Sequence, residues 1–314
     1  MSSNPHHVPL GTIAVSTASG ALIAFQSRAN GELSTLLGNP REVALISFGS
    51  GFIVLTVFFV FSPRMRAGLR AIVAAAGAGR LPRWQLLAGM MGAFFVIVQA
   101  FAVPHTGVAI FSVATIAGQS ALSLLVDRLG IRAGVRHHVT ARRVITAAVT
   151  VAAVAVSVAD RLEGSFGWVS LLALAAGGIV AVQRALNAHI TDHAGGPEAT
   201  TWLNFATGVS FLLVANVAVG AQPLAPLPGM SHSIFIYAGG IIGVIYIAIS
   251  SVLVQRLGVL LFTATSVGGQ LVAALVIDLL YPTSGAHPAI NVYLGVVLSF
   301  VGILVGVARR RVTT

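Results

Sequence analysis

Of the 314 residues, 56% are hydrophobic and only 8% charged, with a mean hydropathy of +0.93. Soluble domains carry about a quarter charged residues, so a water-soluble protein is excluded and a polytopic membrane protein is expected. The net charge of +10 comes with no basic patch interleaved with aromatics, which leaves no nucleic-acid reading, and the absence of cysteine removes disulfides, thiolate metal sites and thiol redox chemistry.

A membrane-crossing helix needs roughly 20 apolar residues. Ten such windows follow one another, at 9–27, 41–61, 84–103, 107–126, 140–159, 167–187, 199–219, 233–254, 258–280 and 289–308. Long, uniformly apolar windows favour helices over the alternating pattern of a membrane barrel, so the expected fold class is an all-α membrane protein of ten transmembrane helices. The first nine residues lack Lys and Arg, so no cleavable signal is expected and the first window stays in the protein. Turn signals at Gly38-Asn39-Pro40 and Gly195-Gly196-Pro197 stop helices 1 and 6.

All eighteen basic residues are arginine. The links after helices 2 and 4 hold five each, Arg64, Arg66, Arg70, Arg80 and Arg83, then Arg128, Arg132, Arg136, Arg142 and Arg143. With Arg184, Arg256 and Arg309 to Arg311, fifteen lie on one side of a ten-helix count, against Arg28, Arg41 and Arg161 on the other. The positive-inside rule then places both termini in the cytoplasm.

The chain also contains itself twice. Gly20 to Gly51 returns 157 positions later, with Gly20/Gly177, Gln26/Gln183, Asn30/Asn187, Pro40/Pro197, Phe48/Phe205 and Gly51/Gly208 identical. Gly89 to Asp127 returns 151 positions later, with Gly89/Gly240, Gly92/Gly243, Gly107/Gly258, Gly118/Gly269, Gln119/Gln270 and Asp127/Asp278 identical. Residues 1–160 and 161–314 are therefore read as two five-helix repeats within one membrane domain. Five is odd, so the second repeat enters the membrane inverted, as in alternating-access transporters. The links after helices 7 and 9 carry no basic residue, and this reversed charge bias agrees with inversion.

Candidate solute-binding residues are amides, which donate and accept without the desolvation cost of a charge. Gln119 and Gln270 fall deep inside helices 4 and 9, where a polar side chain needs a partner or a watery cavity. Gln26 with Asn30, and Gln183 with Asn187, stand four apart on one face near the ends of helices 1 and 6. The alternative is interhelical bonding, worth about 0.6–2 kcal/mol per bond. Gln99 faces only Ser250 in the repeat and gains little support from it. Asp127 and Asp278, at the ends of helices 4 and 9, are candidate gating carboxylates or solvated helix ends. His189 to His193 has two imidazoles one turn apart, but Asp replaces the expected Glu and no third ligand is evident. No metal or cofactor is expected, and no duplicated nucleophile or base suggests an enzyme.

Taken in order, Gln26-x-x-x-Asn30, Gly38 to Pro40, Gly51, Gly107, Gly118-Gln119 and Asp127, with their second copies, resemble the YdcZ-like bacterial branch of the drug/metabolite transporter superfamily. That branch is commonly a five-helix unit, and this chain is similar to a fused pair over residues 11 to 308. The resemblance implies an inner-membrane bundle with a central cavity lined mainly by helices 1, 3, 4, 6, 8 and 9, exporting a small-molecule solute across the lipid bilayer. Helix 1 lacks the mid-membrane Glu of the superfamily's small multidrug exporters, which argues against drug-cation antiport by their mechanism. The rival function is a membrane scaffold or regulatory subunit in which the amides only hold helices together. Helices 5 and 10, rich in Ala, Val and Gly, offer a face for lipid or for a homodimer.

Overall fold

The computed structural model describes residues 10–129, 140–160, 166–219, 234–257, 259–282 and 288–307. Ten α-helices make up the described chain: α1 (Leu10–Leu37), α2 (Pro40–Phe61), α3 (Pro63–Gly77), α4 (Ala88–Leu129), α5 (Ala141–Ser157), α6 (Phe166–Ala194), α7 (Pro197–Ala218), α8 (Gly239–Leu257), α9 (Val259–Leu280) and α10 (Ile290–Val307). The side chain of Asp127, Arg132, Arg136, His137, His138 and the basic tail Arg309 to Arg311 lie outside the described residues.

Three features add to the sequence expectation. First, α1 and α6 run to Leu37 and Ala194, about two to three turns past the apolar windows, and stop at the Gly38 and Gly195 turn signals. Polar residues such as Asn30 and Ser34 are buried there, so low hydropathy marks internal contacts and not a helix end. Second, the link after α2 holds the amphipathic helix α3, which carries three of its arginines. Third, expected helices 3 and 4 are two limbs of α4, separated by Gly107 alone (φ 81°, ψ 168°). The Phe95 and Phe111 rings are 5.7 Å apart, whereas a straight helix would separate those residues by about 24 Å, so α4 is a hairpin. Each limb is a crossing, and with α1, α2 and α5 to α10 the crossings number ten among the described residues.

Equivalent glycines of the two halves make equivalent contacts. A Cβ on Gly20 of α1 would lie 1.7 Å from the Ser266 carbonyl oxygen of α9, and one on Gly269 of α9 would lie 1.9 Å from the Thr17 carbonyl oxygen of α1. The second limb of α4 meets α6 likewise: Gly177 faces the Thr115 carbonyl at 2.1 Å and Gly118 the Leu174 carbonyl at 1.8 Å. Only glycine permits such backbone approach. Phe48 of α2 and Phe205 of α7, equivalent positions in the two copies, pack on each other at 5.0 Å. On the rim, α5 and α10 pack together through Thr146 Oγ1, which donates to the Gly302 carbonyl, and Asn291 Nδ2, which donates to the Ser157 carbonyl.

The outer faces of α2 and α7 expose Ile53, Val57, Phe58, Val214 and Val217. Such faces suit a hydrocarbon solvent, in which helices are held by close packing and internal hydrogen bonds. The buried centre follows the same rule, built largely from Ala, Val and Ile of α4, α6 and α9.

Candidate functional site

The amides of α1 sit in the body of the helix and are engaged. Asn30 Nδ2 donates to Gln99 Oε1 at 2.7 Å, Gln99 Nε2 donates to Ser27 Oγ at 2.8 Å, and Ser27 Oγ donates to the Ile23 carbonyl at 2.8 Å. All three side chains are fully buried. Gln26, one turn before Asn30, donates to the Gly239 carbonyl at 2.9 Å and lies over Gly243, where a Cβ would come within 2.9 Å of its Nε2. Gln99 is the residue that sequence reasoning undervalued; its only signal was an amide well inside the apolar window 84–103.

Around α6 the same positions are served differently. Gln183 Nε2 donates to Asn204 Oδ1 at 3.2 Å, and Asn204 Nδ2 donates to Asn187 Oδ1 at 2.9 Å and to the Thr200 carbonyl at 2.8 Å. Gln183 lies over Gly92 as Gln26 lies over Gly243. At the end of α6, His189 Nδ1 bonds Gln85 Oε1 at 2.8 Å and stands edge-on to His193 at 5.0 Å. Among the described residues no three His, Cys, Asp or Glu side chains converge in a way that would hold a metal.

Gln119 and Gln270 are not brought together in one hydrogen-bonded cluster, and their surroundings differ. Gln270 is buried and its Nε2 reaches Ser112 Oγ at 3.4 Å. Gln119 is partly exposed and, among the described residues, has no hydrogen-bond partner. This follows a gradient along the second limb of α4: residues 108–118 are all buried, whereas 119–124 are all partly exposed.

Asp278 explains the buried end of that gradient. Its Oδ1 accepts from Val108 N at 3.0 Å and its Oδ2 from Ala109 N at 2.7 Å. These are orphan donors at the start of the second limb, and a carboxylate there also complements the helix dipole. Gly107 must be glycine on two counts, its positive φ and the 2.8 Å that would separate a Cβ from Asp278 Oδ2. Nearby, Arg28 Nη1 donates to the Tyr281 carbonyl at 3.0 Å and pairs with Glu32 at 3.5 Å, tying α1 to the end of α9. Asp278 is thus a clamp between α9 and α4, with only 6% of its surface exposed, and not a solvated helix end.

Comparison with curated proteins gives no match. The family described as "Putative inner membrane exporter, YdcZ" matches twice, over residues 11–156 and again over 168–305. Two consecutive matches in one polypeptide, on an all-α fold whose equivalent glycines make equivalent contacts, agree with the motif order in the sequence. The chain belongs to the YdcZ branch of the drug/metabolite transporter family and carries the family's unit in both halves.

Proposed function

We propose that this protein exports a small organic metabolite or drug-like solute by alternating access, with its two repeats inverted about the Phe48–Phe205 contact and both termini cytoplasmic. The carrying observation is the inequality of Gln119 and Gln270. Of these two equivalent amides, one is sealed and bonded while the other is partly exposed and, among the described residues, unbonded. That is the asymmetry expected of a carrier resting in one of two states, closed at the Gly107–Asp278 end and looser at the other.

In this reading Gln119 and Gln270 contact the solute. Gln26, Asn30, Gln183 and Asn187 border the path, and their bonds hold the helices that shape it. Asp278 gates one end by clamping Val108 and Ala109, and Asp127, its sequence equivalent, gates the other. The polar groups named for the path are uncharged, which suits a neutral or zwitterionic solute better than an isolated ion.

A proteoliposome uptake screen with and without a proton gradient identifies the solute. Gln119→Leu and Gln270→Leu then decide between carrier and scaffold. A carrier loses flux while its thermal unfolding in detergent stays close to wild type, at least for the unbonded Gln119. Normal flux in both variants rejects the assignment.

A further inference from the structure

Helix α3 has no counterpart in the second half that the sequence would charge in the same way. Its inner face, Met65, Gly68, Ile72, Ala75 and Ala76, is buried. Gly68 sits against Ala194 and Ala199, on either side of the turn joining α6 to α7. Fifteen residues span about 22 Å, less than the hydrocarbon core of about 30 Å, and the contact is with helix ends, so α3 covers one end of the bundle without crossing it.

The outer surface is cationic and apolar together. Arg64, Arg66 and Arg70 on α3, and Arg80 and Arg83 just after it, are exposed. The sequence holds no Asp or Glu between Glu42 and Asp127. Arg66 donates to the Val60 carbonyl and Arg70 Nε to the Arg66 carbonyl at 3.4 Å. Among the described residues, neither charge has an acidic partner. Beside them Phe61, Val73, Trp84 and Leu87 are 79%, 62%, 57% and 51% exposed, continuous with the bare outer face of α2 at Phe58 and Val60. The corresponding link of the second half, residues 220–233, has no Arg or Lys.

Uncompensated guanidinium groups interleaved with an aromatic and aliphatic belt that runs into a lipid-facing helix match one chemistry, the phosphate layer of a bilayer with acyl chains beneath it. We propose that α3 and the turn after it form a binding surface for anionic phospholipid headgroups of the membrane the protein spans, anchoring the end of the bundle where α2 stops, α4 starts and α6 turns into α7. An acidic protein would neutralise the arginines but would leave Phe61 and Trp84 no better covered.

The test is titration of the full chain in neutral detergent with phosphatidylglycerol or phosphatidylcholine, read by native mass spectrometry. Wild type is expected to prefer phosphatidylglycerol, and R64Q/R66Q/R70Q to lose about fivefold of that preference per arginine, with phosphatidylcholine binding unchanged. R64K/R66K/R70K should retain most of it. Equal binding of the two lipids by wild type overturns the proposal, as does an undiminished preference in the glutamine variant. Should that variant fail to fold, wild type at about 0.5 M salt decides, because screening must collapse a headgroup preference and its persistence overturns the proposal. Displacement of phosphatidylglycerol by millimolar inorganic phosphate would indicate a free-anion site, and arginine-dependent binding of polyglutamate with equal lipid affinities a protein-docking face; either also overturns it.

Discussion

The two amide networks serve one purpose with different residues. Around α1, Asn30 finds its partner on α4, in Gln99; around α6, Asn187 finds its partner on α7, in Asn204. The equivalents of those partners, Ser250 and Ser47, bear only hydroxyls. The second amide has moved from one neighbouring helix to another between the copies. What the duplicated scaffold retains is the requirement that a buried carboxamide be met, because an unmet one costs about 1–3 kcal/mol. The glycines behave in the opposite way. Gly20 and Gly177, like Gly118 and Gly269, keep both identity and contact, since no other residue leaves room for a neighbour's carbonyl.

The contrast can be broken experimentally, most severely at the glycines. Gly118→Ala and Gly269→Ala each push a methyl into a carbonyl oxygen, at 1.8 Å and 1.9 Å, and should lower stability by about 3 kcal/mol, read as thermal unfolding in detergent. Equal losses would confirm that the interfaces are equivalent. Next come Asn30→Leu and Gln99→Leu, each expected to cost about 2 kcal/mol by stranding its partner, with the double variant less damaging than the sum. Additive losses would dissolve the network as a unit. Asp278→Asn should cost about 1–2 kcal/mol, because one carboxamide oxygen cannot serve both Val108 N and Ala109 N. As the chain has no native cysteine, a single cysteine introduced at Ala109 should become labelled faster in that variant, and unchanged labelling would remove Asp278 from gating. The smallest and sharpest change is a transplant: Ser47→Asn added to Gln99→Ser rebuilds the α6 arrangement around α1 and should recover about 1 kcal/mol of the Gln99→Ser loss. No recovery would mean that the amide cannot change helices so simply.

Much of the architecture was legible in sequence, for reasons now visible. The glycine offsets mapped onto backbone contacts, whereas the repeated Gly107 did not by itself announce the reversal in α4, which rests on its positive φ and on the carboxylate of a residue far along the chain. Gln119 and Gln270 stood out as amides deep in apolar windows, although their unequal burial depends on how tightly each end of the bundle closes, which a duplicated sequence does not encode. Gln99 was obscured by the argument that served elsewhere, since pairing the copies discards any residue whose role has migrated. The turn signals at Gly38 and Gly195 gave the ends of α1 and α6 where the apolar windows fell short, because hydropathy measures preference for lipid, and helix turns facing other helices need none. Helix α3 was read as a charged link for a similar reason: its apolar face is narrow and its arginines dominate the composition.

The single-residue turn at Gly107 also bears on how the chain enters its membrane. Between the limbs of α4 there is no hydrophilic stretch long enough to wait in water while one limb inserts ahead of the other. A nascent chain must therefore hand both limbs to the lipid as a preformed hairpin, and the clamp from Asp278, supplied some 170 residues downstream, can close only after most of the protein has been synthesised. Until then Val108 and Ala109 need another acceptor for their N–H groups, so this corner of the half made earlier is completed only when the end of α9 arrives.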